Sequence, residues 1–275
     1  MSDCLEVHTL NPNGCGFFSC FTIIMQNIVT FYNRSRRLPK KINASTFFVF
    51  YKDDPNEEIF NHYVEEPGLT TDVLPFEYKH ISFGIVSQYM DFTNYNYERI
   101  KPLMDIYFKP NKKVLDTIEY LKKKYELNME NTLSVYYRGT DKRTETKLGN
   151  NEMFEEKINK VLEKDPNLDI LIQSDSKSFI DYYSEKYPKA KFISENKTSI
   201  RVDGIHKEIK DKKVNHDDMF TLLSTFLLIS KSKYIICNSS NCSLWIHLYR
   251  GNGNNVIQYC NDGKKEIVWR ENLIE

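Results

Sequence analysis

The chain has 275 residues, 40 % of them apolar and 28 % charged, which suffices for one large globular domain or two ordinary ones. Lys+Arg and Asp+Glu both number 38, so the net charge is zero and no nucleic acid is implied as a partner; the basic runs at 34–37 and 122–124 read as solvated helix ends. Six cysteines (Cys4, Cys15, Cys20, Cys237, Cys242, Cys260) without C-x-x-C spacing exclude a disulfide scaffold and a zinc hook.

The first six residues carry neither a basic region nor an apolar core, so no signal peptide is expected. The longest apolar stretch, 17–32, is broken by Ser19, Thr22, Gln26, Asn27 and Thr30, which argues against a transmembrane segment and for a cytoplasmic protein. A strand over 5–9 should lead through Asn11-Pro-Asn-Gly-Cys-Gly16 into a helix over 17–33. Residues 46–51 read as a strand, and 95–108 and 112–125 as helices. Between 53 and 94 aromatics alternate with Pro, Gly, Asp and Asn, the composition of loops that serve variable acceptor contacts.

Beyond residue 131 the pattern is regular. Strands at 133–137, 168–173, 191–194, 234–237 and 256–259 are interleaved with helices at 151–164, 176–187, 217–230 and 244–250. That alternation is the mark of βαβ units around a parallel sheet. The expectation is an α/β protein in two parts: an irregular domain over 1–130, carrying the acceptor side, and a Rossmann-like domain over 131–275.

Three strand ends carry ligand-type chemistry. Ser134-Val-Tyr-Tyr-Arg-Gly-Thr-Asp-Lys142 ends a strand in an arginine, at the edge where open α/β sheets bind ligands. Arg138 is always charged and its fork matches phosphate oxygens. Asp141 and Glu145 are candidate general bases, and Lys142 can hold a carboxylate or a second phosphate oxygen. Asp175 follows the next strand within Ser174-Asp-Ser176, a position equally suited to a helix cap. Asn238, Ser239, Ser240, Asn241, Cys242 and Ser243 form a polar strand-to-helix turn suited to a diphosphate. The Gly14-Cys15-Gly16 turn opens an apolar helix and would let backbone approach an anion, a weak signal by itself. No Asp-x-Asp, Walker, HExxH or Gly-x-Ser-x-Gly motif is present, so no metal or cofactor is expected and a hydrolase lacks a nucleophile.

Together these segments resemble the inverting fucosyltransferase superfamily of GT-B fold, which includes α1,6-, protein O- and α1,2-fucosyltransferases. The resemblance rests on Gly14-Cys-Gly-Phe17, on Tyr136-Tyr-Arg-Gly-Thr-Asp-Lys142, and on the blocks 170–196 and 228–243. It covers most of 130–250 and little of 35–130. It implies two Rossmann-like domains facing a cleft, with Arg138 on the donor's β-phosphate, the 239–243 turn as a second phosphate contact, and Asp175 near the nucleotide. Glu145 falls, with one residue of slippage, at the family's base. Tyr136 stands where the family keeps a histidine against guanine, Gly139 where it keeps a second arginine, and Thr225 where an aspartate reads the base. The donor implied is a nucleotide-diphosphate sugar, GDP-fucose-like or a UDP-sugar such as UDP-xylose, and the acceptor a glycan or glycoprotein. The alternative is a module of this fold that binds nucleotide or glycan without catalysis.

Overall fold

The computed structural model describes residues 4–7, 14–69, 74, 78, 85–201, 204–260 and 268–274. The amino half holds a two-stranded parallel sheet of β1 (Cys4–Glu6) and β2 (Lys41–Asn43), joined through α1 (Phe17–Ser35). Helices α2 (Tyr97–Tyr107) and α3 (Lys112–Lys124) follow, each started by an asparagine whose side chain accepts from the first turn. His8, Thr9 and the expected turn residues 11–13 lie outside the described residues.

The expected strand over 46–51 is not formed; these residues make two consecutive turns. Phe47 is instead buried, and Phe48 and Tyr51 pack against rings that include Phe17, Phe21, Phe60 and Tyr63. Their aromatic content serves a packed cluster, not a ladder.

The carboxyl half forms a five-stranded sheet from β3 (Thr132–Tyr137), β4 (Asp169–Ser174), β5 (Tyr234–Asn238), β6 (Val256–Cys260) and β7 (Val268–Asn272). Its order is β4-β3-β5-β6-β7, parallel except for the edge strand β7. Intervening helices are α4 (Asn151–Lys164), α5 (Lys177–Lys186), the single turn α6 (Ile205–Glu208), α7 (Lys212–Ile229) and α8 (Asn241–Arg250). Helix α4 lies where the pattern placed it. Helix α7 begins five residues earlier than expected, because Asp211 accepts from the amides of Lys213 and Val214. The expected strand at 191–194 reduces to a single bridge, Leu171 to Lys191.

Strand β3 is buried on both faces, as parallel strands covered by helices are. Leu133, Val135 and Tyr137 face α4 and α5, in a cluster with Phe154, Ile158, Phe179 and Tyr183. Tyr136 points to the other face, whose cluster includes α7, α8 and α1. Phe18 stacks on Phe226 of α7 at 4.8 Å, and Phe21 meets Trp245 of α8 edge-on at 5.2 Å. Helix α1, from the amino half, is thereby packed into the core of the carboxyl half. The chain leaves β3 for β4 on one side and later returns to β5 on the other. The carboxyl end of β3 is therefore the topological switch point, where open α/β sheets place their ligands.

Candidate active site

Arg138 is the first residue past β3 and stands at that switch point. Asn238, at the end of β5, fixes it by accepting the Arg138 amide at 2.8 Å and donating to the Arg138 carbonyl at 2.9 Å. The guanidinium is bracketed by two carboxylates: Nη1 pairs with Asp175, and Nη2 with Asp141 at 2.8 Å. Burial alone would lower the Arg138 pKa, but Asp175 and then Asp141 reverse that and hold it well above its ordinary value. Asp175 is itself buried and also accepts the Gly139 amide at 2.7 Å and the Thr140 hydroxyl.

Gly139 is required here. A Cβ at this position would lie 2.4 Å from the Tyr137 ring, which is stacked on Phe179 at 4.3 Å. The space a second arginine would need is filled by that aromatic pair. Gly14 has φ of +80° and a Cβ there would meet Val49 at 2.2 Å, so its glycine is likewise dictated by the 47–51 turns.

Past Arg138 the chain makes a single 3-10 turn, Asp141–Thr144. Lys142, 5 % exposed, donates to Gln88 Oε1 at 2.6 Å and to Glu145 Oε2. Glu145 is half exposed and takes a second donor, the Tyr89 hydroxyl, at 3.2 Å.

These groups face a cavity of about 470 Å³, large enough for a cofactor-sized ligand. Its lining includes Gly14, Cys15, Gly16, Tyr136, Arg138, Asp141, Lys142, Glu145, Asp175, Ser240, Asn241 and Cys242. Twelve of the fifteen residues singled out from sequence are thus brought to one wall. The other three, Asn238, Ser239 and Ser243, sit behind it. Ser243 donates to the Asn238 carbonyl, and Ser239 accepts from Gln258 at 2.9 Å. Ser240 caps α8 through the Ser243 amide at 3.0 Å, while Asn241 accepts from Thr22 and donates to Ser19, both at 3.0 Å, tying α8 to α1. Tyr136 is buried, its hydroxyl bonded to the Cys242 thiol and its pKa pushed well up by burial. Where the Gly14–Gly16 turn meets α1, the Phe17 amide donates to the Tyr51 hydroxyl at 2.9 Å.

Sequence reasoning missed the rest of the wall. Gln88 and Tyr51 come from the aromatic amino half, Asn196 and Lys197 from the loop after α5, and Asp218, Met219 and Leu222 from α7. Asn196 donates to Gln173 and to Thr225, both at 2.9 Å, while Thr225 gives its hydroxyl hydrogen to the Thr221 carbonyl. Thr225 is fully buried and committed to these contacts. Ile205 and Lys207 of α6 also reach the cavity. Among the described residues no group of three or more His, Cys, Asp or Glu could hold a metal ion, and no helix is long and apolar enough to cross a membrane.

The fold, an open sheet with a cavity at its switch point and a helix packed in from the amino half, matches the GT-B fold of solved fucosyltransferases. The NodZ α-1,6-fucosyltransferase soaked with GDP-fucose superposes with a TM-score of 0.56 over 99 % of this chain and 100 % of its own, at 11 % identity. The NodZ structure from Bradyrhizobium gives a TM-score of 0.53, and one co-crystallised with GDP gives 0.52, each at 11 % identity over 99 % of both chains. At that identity the likeness is one of fold. No family model matches the chain, and no curated protein matches it significantly in sequence.

Proposed function

We propose that this protein is an inverting, metal-independent glycosyltransferase that moves a sugar from a nucleotide-diphosphate donor to a hydroxyl of a glycan or glycoprotein. The observation that carries the reading is Arg138 at the switch point, on the wall of a cavity that also presents Lys142 and Glu145. The neighbours of this fold include fucosyltransferases crystallised with GDP and GDP-fucose. The donor is GDP-fucose or a relative of it, or a UDP-sugar such as UDP-xylose.

Net charge does not draw the diphosphate in, since the lining carries four basic and five acidic side chains. Capture has to occur by exchange at Arg138. Asp175 is buried and holds three donors, so it stays. Asp141 is 29 % exposed and is the partner that phosphate oxygens replace. Asp141→Asn is therefore expected to tighten nucleotide binding roughly three- to tenfold, the effect of removing one partly exposed competing charge. Unchanged or weaker binding in that variant, read by calorimetry, would count against the exchange.

With the donor bound, Glu145 takes the acceptor's hydroxyl proton as that oxygen bonds to the anomeric carbon. The bond to the diphosphate oxygen breaks on the opposite face, its electron pair leaving with the diphosphate, and the configuration inverts. Arg138 and Lys142 supply preorganised positive charge where the leaving group becomes more negative. Asp141 is assigned to the exchange at Arg138, and Glu145, half exposed on the cavity lining, to the base.

A second reading, a binding module without catalysis, draws on Gly139, whose packing leaves no room for a second arginine directly beside Arg138. One assay separates the two. Incubated in EDTA with GDP- and UDP-sugars, an enzyme of this kind slowly releases nucleoside diphosphate by donor hydrolysis, and a binding module releases none. Activity restored only by Mn²⁺ would argue for a metal-bridged donor.

A further inference from the structure

The Lys142–Glu145 pair is completed by a segment distant in sequence. The 3-10 helix Ile85–Tyr89 delivers two adjacent side chains to it. Gln88, 3 % exposed, accepts Lys142 Nζ at 2.6 Å. Tyr89 donates its hydroxyl to Glu145 Oε2 at 3.2 Å, and Lys142 Nζ lies 5.3 Å from the centre of the Tyr89 ring.

The segment is fastened to the sheet independently of those contacts. Gln258 on β6 is fully buried, accepts the Phe92 amide at 2.7 Å, and donates to the Met90 carbonyl and to Ser239, both at 2.9 Å. Cys260 donates to the Tyr89 carbonyl at 3.5 Å. A buried glutamine used in this way, with its amide satisfied on three sides, fixes a crossing chain where apolar packing alone would let it slide. Residues 88–92 are thereby strapped over the carboxyl ends of β5 and β6, with Gln88 and Tyr89 pointed at the 3-10 turn after β3.

Both donors to Glu145 fall on the same oxygen. Lys142 from its own turn and Tyr89 from the strap meet at Oε2, leaving Oε1 to face an incoming hydroxyl. A carboxylate held by one oxygen from two elements has its terminal rotation stopped, which a general base on a half-exposed turn otherwise lacks. Neither Tyr89 nor Gln88 need touch the reacting atoms.

We infer that Tyr89 and Gln88 are positioning residues that set the orientation of Glu145, one directly and one through Lys142. This rests on Glu145 acting as the base. Besides Lys142, the charged groups between Arg138 and Glu145 are Asp141 and Arg138, paired to each other, and Arg143, which is bonded to the Gly139 and Thr140 carbonyls.

The test is steady-state kinetics of Tyr89→Phe, which removes one hydroxyl and leaves the ring. The expected result is a kcat lowered about tenfold with donor KM changed less than about twofold, the split of an interaction that serves the chemical step. Gln88→Leu should give the same split of kcat from KM, and Gln88→Glu, which restores an acceptor to Lys142, should recover turnover. Wild-type kcat in Tyr89→Phe, alongside an inactive Glu145→Gln, would overturn the inference and leave Glu145 as the base. A donor KM raised as much as kcat falls would overturn it too, marking Tyr89 as a binding residue. Full turnover in Glu145→Gln would remove the base and this inference together.

Discussion

Replacing Arg138 is expected to abolish sugar transfer and to weaken nucleotide-diphosphate binding by about a hundredfold or more, the loss of two charge-assisted hydrogen bonds in a partly buried site. The alanine variant carries a second effect. It leaves Asp175 buried at 6 % exposure with no cation, a change that costs roughly 3–5 kcal/mol of stability. Arg138→Lys separates the two. It returns a positive charge to Asp175 but cannot reproduce a planar fork reaching Asp175 and a phosphate at once. Its melting temperature should therefore stay near that of the wild type while affinity for GDP or UDP falls. If the lysine variant binds nucleotide as well as the wild type, Arg138 serves only to hold the loop.

Glu145→Gln should lower kcat by about 10²–10⁴-fold, the range for losing a positioned general base, with donor affinity unchanged. The substitution is mild for the fold. Glutamine keeps an oxygen for Lys142 Nζ, a buried ammonium with Gln88 as its other acceptor. Donor affinity is spared because the glutamine still accepts from Lys142, while Arg138 is held by Asp175 and Asp141. Equal falls in turnover and donor affinity would make Glu145 a binding residue and return the base to Asp141 or another group.

The carboxyl half was readable from its residues because parallel strands between helices leave an apolar, β-branched signature with capped helices between them. Arg138, Asp175 and the Asn238–Ser243 turn stood out since each ends such a strand, and the switch-point topology gathers those ends. What their side chains do there was not readable. Asn238 and Ser243 look like ligand donors in sequence, yet they spend their groups on the Arg138 backbone and the Asn238 carbonyl. Asp175 looks like a cap or a nucleotide contact, yet three donors bind it to the arginine loop.

In the amino half, β1 overlaps the strand expected over 5–9, whereas β2, three residues long, leaves no period to detect. The aromatic run at 46–51 imitated a strand because rings favour strands and packed clusters alike. Gln88 and Tyr89 lie more than 50 residues from Lys142 and Glu145, in a segment without periodicity, and only their fastening to Gln258 brings them to the site. Nor did local pattern separate Gly139 from an ordinary turn glycine; the Tyr137–Phe179 stack decides it.

Calorimetric titration of GDP and UDP in EDTA, into wild-type protein and Arg138→Lys, bears most directly on a cavity that captures a diphosphate without a divalent ion. One nucleotide should bind the wild type in a single site, with the same affinity when Mg²⁺ or Mn²⁺ is supplied, and about a hundredfold more weakly to the variant. Binding of neither nucleotide, binding that appears only with the metal, or equal binding to both proteins would contradict it.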